Sequence, residues 1–166
     1  MKITQRLLLA CFIFGLMEAT AVAASFNFGG TATEKGPSGP AIKTSQAYSI
    51  VPSLTVPKTI RVTYKGAKGK TLSEIYSFGG SGRLVHKYLT DGSVQATQKG
   101  TYTLKNSGAT TVIGTRIVDR YLGGSVIVYT GTFTISEKLL KVKVVENNSG
   151  KITTLTFSGV PILTRR

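Results

Sequence analysis

From Ala47 onward the chain alternates apolar and polar residues with a period of two, in short runs separated by turn residues. Ile60, Val62 and Tyr64 alternate with Arg61, Thr63 and Lys65, and further runs cover Leu84–Leu89, Thr101–Leu104, Thr111–Val118, Val126–Ile135, Leu139–Val145 and Ile152–Phe157. Asp91-Gly92, Asn106-Ser107-Gly108, Gly123-Gly124 and Asn147-Asn148-Ser149-Gly150 punctuate these runs. Asp91-Gly92 is a strong hairpin signal, because both residues tolerate the positive φ that a tight turn demands. The pattern predicts about eight strands at the spacing of a sandwich or barrel. Leu72–Phe78 is ambiguous, since Leu72, Ile75 and Tyr76 would share a helical face, so a short helix is an alternative there.

Short connections favour antiparallel neighbours, hence a meander. An open meander leaves two unpaired edges, and closure removes them. The expected fold is therefore all-β: an antiparallel meander closed as a small barrel, with a β-sandwich as the second choice. Its inward faces should include Ile127, Tyr129, Phe133 and Ile135, then Leu140, Val142 and Val144, then Leu155 and Phe157. At eight strands the interior is either filled or holds one small ligand. Close-packing makes the filled interior the first expectation. The plan resembles the calycin-type, lipocalin-like barrel in outline only. The G-x-W signature of lipocalins is absent, as the chain has no tryptophan, and no family is assigned.

Ahead of the alternating region lie two different segments. Residues 1–24 read as a secretory signal peptide: Lys2 and Arg6, then the apolar run Leu7–Met17, then Ala21-Val22-Ala23 as a cleavage site. The run is too short to span a bilayer. The sole cysteine, Cys11, would leave with this segment, and the mature chain would have neither disulfide nor thiol chemistry. Residues 25–46 are broken by Gly29-Gly30, Gly36-Pro37 and Gly39-Pro40 and are expected to form a flexible arm, with Phe26 and Phe28 pinning its start. Residues 47–166 then form the single barrel domain.

Charge adds the next constraint. Lys and Arg number 21 against 7 for Asp and Glu, a net +14. Removing Lys2, Arg6 and Glu18 with the leader leaves 19 basic and 6 acidic residues, a net +13. A surface of this kind is highly soluble and attracts polyanions. The densest basic cluster is the loop carrying Lys65, Lys68 and Lys70; Lys141 and Lys143 share a strand face, and Arg116 adds to the field. These six residues are the candidate sites for an anionic ligand or polymer. No dedicated nucleic-acid site is evident, since that reading would need aromatics interleaved with the cations on one face. A membrane-spanning barrel is not expected, because outward positions are Thr, Lys and Arg where a lipid-facing apolar band is required.

Catalytic signals are sparse. Gly66-Ala67-Lys68-Gly69-Lys70-Thr71 carries a G-K-T, but Tyr64 stands where a Walker A loop needs its first glycine. His86 is the only histidine, too few for a metal site of the usual kind, and it reads as a surface or strand-face residue. No G-x-S-x-G elbow is present. Asn147-Asn148-Ser149 has the form of a glycosylation sequon in a turn. No catalytic residue, metal or cofactor is assigned. The expected function is that of an exported, periplasmic or extracellular, non-enzymatic binding barrel for a small apolar or anionic ligand. The alternatives are an envelope interaction protein or inhibitor without a small ligand, and, further off, an enzyme with an unrecognised site. A buried His86 touching a carboxylate in a cleft is the observation that would favour the enzyme.

Overall fold

The computed structural model describes residues 24–121 and 124–162, so the signal-peptide segment lies almost wholly outside the described residues. Ten antiparallel strands follow one another as a meander and close on themselves. They are β1 (Phe26–Lys35), β2 (Ile42–Val51), β3 (Thr59–Lys65), β4 (Thr71–Phe78), β5 (Arg83–Thr90), β6 (Ser93–Ser107), β7 (Thr110–Arg120), β8 (Val126–Ile135), β9 (Leu140–Asn148) and β10 (Lys151–Pro161). Closure runs through β1 and β10, with Ala32 opposite Phe157 and Thr31 opposite Ser158. The all-β meander closed as a barrel is the expected fold, with ten strands where about eight were expected.

The difference lies at two places. The expected arm of residues 25–46 is instead β1, a tight connection and the first half of β2, and β1 closes the barrel. Its glycines are there because the strands come close: a side chain at Gly30 would run into the carbonyl of Ser158. Leu72–Phe78 is β4, not a helix, and Tyr76 turns inward while Glu74 takes the place in the alternation that a second apolar residue would have held. Elsewhere the turns are as anticipated: Asp91 and Gly92 have φ of 48° and 83°, and Ser149 and Gly150 have 51° and 89°.

The expected inward faces of β8, β9 and β10 are inward. Phe133, Ile135, Leu140, Val142 and Phe157 are buried, and Tyr129, Val144 and Leu155 pack against them. With Phe28, Ile50, Ile60, Leu84 and Ile113 they fill one half of the barrel. This half lies toward the β2–β3, β4–β5, β6–β7 and β8–β9 connections, since its residues sit at the strand ends those connections join. Rings interlock within it: Tyr48 and Phe157 have centroids 4.4 Å apart, and Tyr76 meets Phe133 edge-on at 5.2 Å. The other half is not filled. Barrel diameter grows with strand number, and ten strands enclose more space than eight.

Candidate functional site: a half-barrel cavity

The unfilled half holds a cavity of about 330 Å³, within the range that accommodates one small organic molecule. It opens toward the opposite set of connections, where Glu34 lies beside the end of β1, Tyr88 approaches the end of β5 and Thr153 lies near the start of β10. Its floor and part of its wall are apolar: Val62, Ile117, Phe133, Val142, Val144 and Leu155. Gly131 contributes to this space directly. A side chain there would collide with the Thr115 hydroxyl, so glycine keeps the wall recessed between two facing strands. A register shift at Tyr88/Leu89 disturbs the ladder beside the opening.

One wall of the cavity is a connected polar network centred on Glu74. Tyr76 Oη donates to Glu74 Oε2 at 2.8 Å and Tyr64 Oη donates to Oε1 at 3.1 Å. His86 Nε2 lies 3.2 Å from Oε2, and His86 Nδ1 lies 2.7 Å from Gln98 Oε1. Gln98 Nε2 donates in turn to Asp119, and Tyr121 Oη donates to the same carboxylate at 3.3 Å. The register explains the assembly: Glu74 stands opposite both Val62 and Tyr88, Tyr76 opposite His86, and His86 opposite Gln98, so β3 to β6 bring these side chains to one inner surface.

The network fixes its own protonation. Asp119 accepts from the amide of Gln98, which orients the Gln98 carbonyl toward His86. His86 therefore faces an acceptor at each ring nitrogen and donates from both, which is the imidazolium form. Burial opposes that charge, but the hydrogen bond and charge of Glu74, followed by Gln98 and Asp119, raise the histidine's pKa above its ordinary value. Burial likewise opposes ionisation of Glu74, but the hydrogen bond and charge of His86, with those of Tyr76 and Tyr64, hold its carboxyl below the ordinary value. Burial and the neighbouring carboxylate push the phenols of Tyr48, Tyr64 and Tyr76 up, so they stay protonated and donate to the network. Tyr129, on the far wall, is pushed up to about 12 by burial and then by Glu146.

The remaining polar groups of the lining are not consumed in this way. Among the described residues His86–Glu74 is the only ion pair, so Glu34 and Glu146 have no cationic partner there. Gln46 uses its carbonyl to accept from Tyr48 Oη at 2.9 Å, leaving its amide hydrogens to the cavity. Thr115 is 7% exposed and lines the cavity with a hydroxyl that no described side chain engages. Among the described residues no lysine or arginine contributes to the lining.

The residues singled out by the sequence are elsewhere. Lys65, Lys68 and Lys70 are exposed at the β3–β4 connection, beside the opening, where Lys65 Nζ donates to the Thr71 hydroxyl at 2.9 Å. Lys141, Lys143 and Arg116 are exposed on the outer wall of β7–β9, with Lys143 opposite Thr132 and Arg116 opposite Thr130. The structure thus separates the six into a rim group and a wall group. His86 is on a strand as expected, but it faces inward with a side chain only 12% exposed, because it alternates with the outward Lys87. Asn147 sits at the β9–β10 turn, where its side-chain oxygen accepts from the Gly150 N–H at 2.9 Å.

The signal that would have located the cavity is a carboxylate continuing an apolar period-two face. Glu146 follows Leu140, Val142 and Val144 in step, and Asp119 follows Ile113, Thr115 and Ile117. Among the described residues no helix is long and apolar enough to cross a membrane, and no group of His, Cys, Asp and Glu is arranged to hold a metal ion. No protein-family description, curated protein or solved structure matches the chain.

Proposed function

We propose that this chain is an exported, non-enzymatic binding protein that holds one small organic ligand inside the unfilled half of its barrel. The observation that supports it most is the contrast between the two halves. One is close-packed, while the other keeps about 330 Å³ open between an apolar floor and a polar wall. A barrel stabilised only as a scaffold gains nothing from this space, since each unfilled methyl-sized volume costs stability. The ligand's apolar body would lie against Val142, Val144 and Leu155 and its polar end toward the opening.

This reading narrows the earlier expectation. Among the described residues the one cationic side chain of the cavity lining is His86, already paired with Glu74, so attraction of anions belongs to the outer surface. Export rests on the leader pattern of residues 1–24. An enzyme is the second reading, favoured by the His86–Glu74 pair in the cavity wall. Both ring nitrogens of His86 are already engaged within that wall, which leaves neither free to take a proton from a substrate, and binding is therefore preferred.

The test uses the absence of tryptophan from the chain. Indole added to the protein reports its own environment by fluorescence without background from the protein's own indole. A blue-shifted, saturable signal is expected, and Val144→Phe, which fills the cavity, should abolish it. Equal signals from both proteins, or none from the wild type, would contradict an interior site.

A further inference from the structure

The barrel sorts its charges by face. Lysines and arginines such as Lys43, Arg61, Lys99 and Lys141 alternate outward along their strands and are exposed. Three of the chain's seven acidic residues, Glu34, Glu74 and Glu146, line the cavity, and a fourth, Asp119, stands behind Gln98. Glu74 is balanced by His86, but Glu34 and Glu146 have no cation among the described residues, in a protein with Lys and Arg in threefold excess over Asp and Glu. The register places Glu146 directly opposite Tyr129 and Thr153, and Glu34 opposite Leu155. The two carboxylates therefore flank β10 from either side on one wall, above an apolar floor.

Two further groups show that this space is built for a polar occupant. Thr115 and Gln46 are each 7% exposed, and each keeps hydrogen-bonding capacity directed into the cavity that no described side chain uses. Tyr129, opposite Glu146, and Tyr88, opposite Glu74, add aromatic rings to the lining, groups that attract an organic cation.

We infer that the cavity takes a monocationic organic amine with an apolar or aromatic body, its ammonium held by Glu34 and Glu146 at the opening. This deepens the binding reading above and rests on it. The ammonium donates to the two carboxylates, beside the Tyr129 that the register sets opposite Glu146. The body replaces water over Val142, Val144 and Leu155. The outer lysines do not reverse this choice, because strand alternation turns them away from the interior. They slow the approach of a cation, and added salt should quicken it.

Three probes share an indole body and a two-carbon tail but differ in charge: tryptamine, tryptophol and indole-3-propionate. Each is titrated by fluorescence into the full-length mature protein, and only binding removed by Val144→Phe is counted, which excludes adsorption on the basic exterior. Tryptamine should bind about tenfold more tightly than tryptophol, the effect of one charge-assisted hydrogen bond, with indole-3-propionate weakest. Glu34→Gln with Glu146→Gln should weaken tryptamine by about tenfold or more and leave tryptophol within about twofold. Both residues are at least partly exposed, so the variant should keep the fold, verified by its circular dichroism. If tryptophol or indole-3-propionate equals tryptamine, or the double variant leaves tryptamine unchanged, the cation assignment falls while the cavity reading stands. If neither indole nor any of the three binds, both fall.

Discussion

His86 Nε2 and Glu74 Oε2 lie 3.2 Å apart in the cavity wall, the only ion pair among the described residues of a strongly basic chain. It joins strands β4 and β5 and is extended by Tyr64 and Tyr76 on one side and by Gln98 and Asp119 on the other. A part-buried pair of this kind contributes little relative to an apolar replacement, but breaking it carries a cost, because the surviving charge is left without a partner.

Stability should therefore respond to pH through this pair. The raised pKa of His86 contributes stability that is fully present below the ordinary value of 6.5 and is lost as pH rises through the folded value. The lowered pKa of Glu74 contributes stability present above the ordinary value of 4.5 and lost as pH falls through the folded value. Urea unfolding across pH should show a plateau between those two ordinary values with a decline on either side. His86 is the only histidine, so its imidazole signals in an NMR titration report the folded value without ambiguity. A folded pKa at or below 6.5 would refute the doubly donating imidazolium.

Replacing one partner should cost more than the pH effect alone. Glu74→Gln keeps the shape but leaves the imidazolium beside an amide, and for this part-buried pair a loss of about 1–3 kcal/mol is expected. The double variant Glu74→Gln with His86→Gln should recover part of it, and a double-mutant cycle measures the coupling. Additive losses would mean that the two side chains act independently.

The filled half makes a separate prediction. Phe133 is 0% exposed and Phe157 is 3% exposed, and each touches a ring from another strand. Truncation of either to alanine should cost about 3–5 kcal/mol by chemical denaturation. A cost below about 1 kcal/mol would mean that the interior repacks freely, contrary to a close-packed half.

Exterior charge is a third, independent matter. Lys65, Lys68 and Lys70 sit at the rim and Lys141 and Lys143 on the outer wall, on strands remote from one another around the barrel. Affinity for heparin should fall steeply with salt, since binding releases counterions. If the rim is the polyanion site, replacing its three lysines by glutamine should make the salt slope shallower by about 3, and the wall pair should matter little. Equal effects per charge from both groups would identify a diffuse field.

These regions were not equally legible in the sequence. Val126–Ile135 could be read residue by residue, because its inward Phe133 and Ile135 alternate with threonines and the face is apolar wherever it meets the filled half. β1 could not, because closure there brings backbones so close that Gly30 and Ala32 replace the large apolar residues that mark a strand. The cavity was hidden for a related reason. Glu34, Gln46, Glu74 and Gln98 occupy inward positions, yet as polar residues they imitate solvent-facing ones. The period-two pattern marks His86 as a strand residue but not as an inward one, since its direction depends on partners from β4 and β6 that only the register brings beside it. Polar groups are stable inside a barrel only when they satisfy one another or a ligand, and that long-range matching leaves no short-range pattern.

The most direct test of the binding reading is native mass spectrometry of the protein purified from its own host under gentle conditions, beside the Val144→Phe variant prepared identically. The wild type should carry a discrete additional mass of one small organic molecule, released on collisional activation, and the variant should appear at its chain mass alone. Wild type and variant both at bare chain mass, or both carrying the same adduct, would contradict a ligand held in the barrel interior.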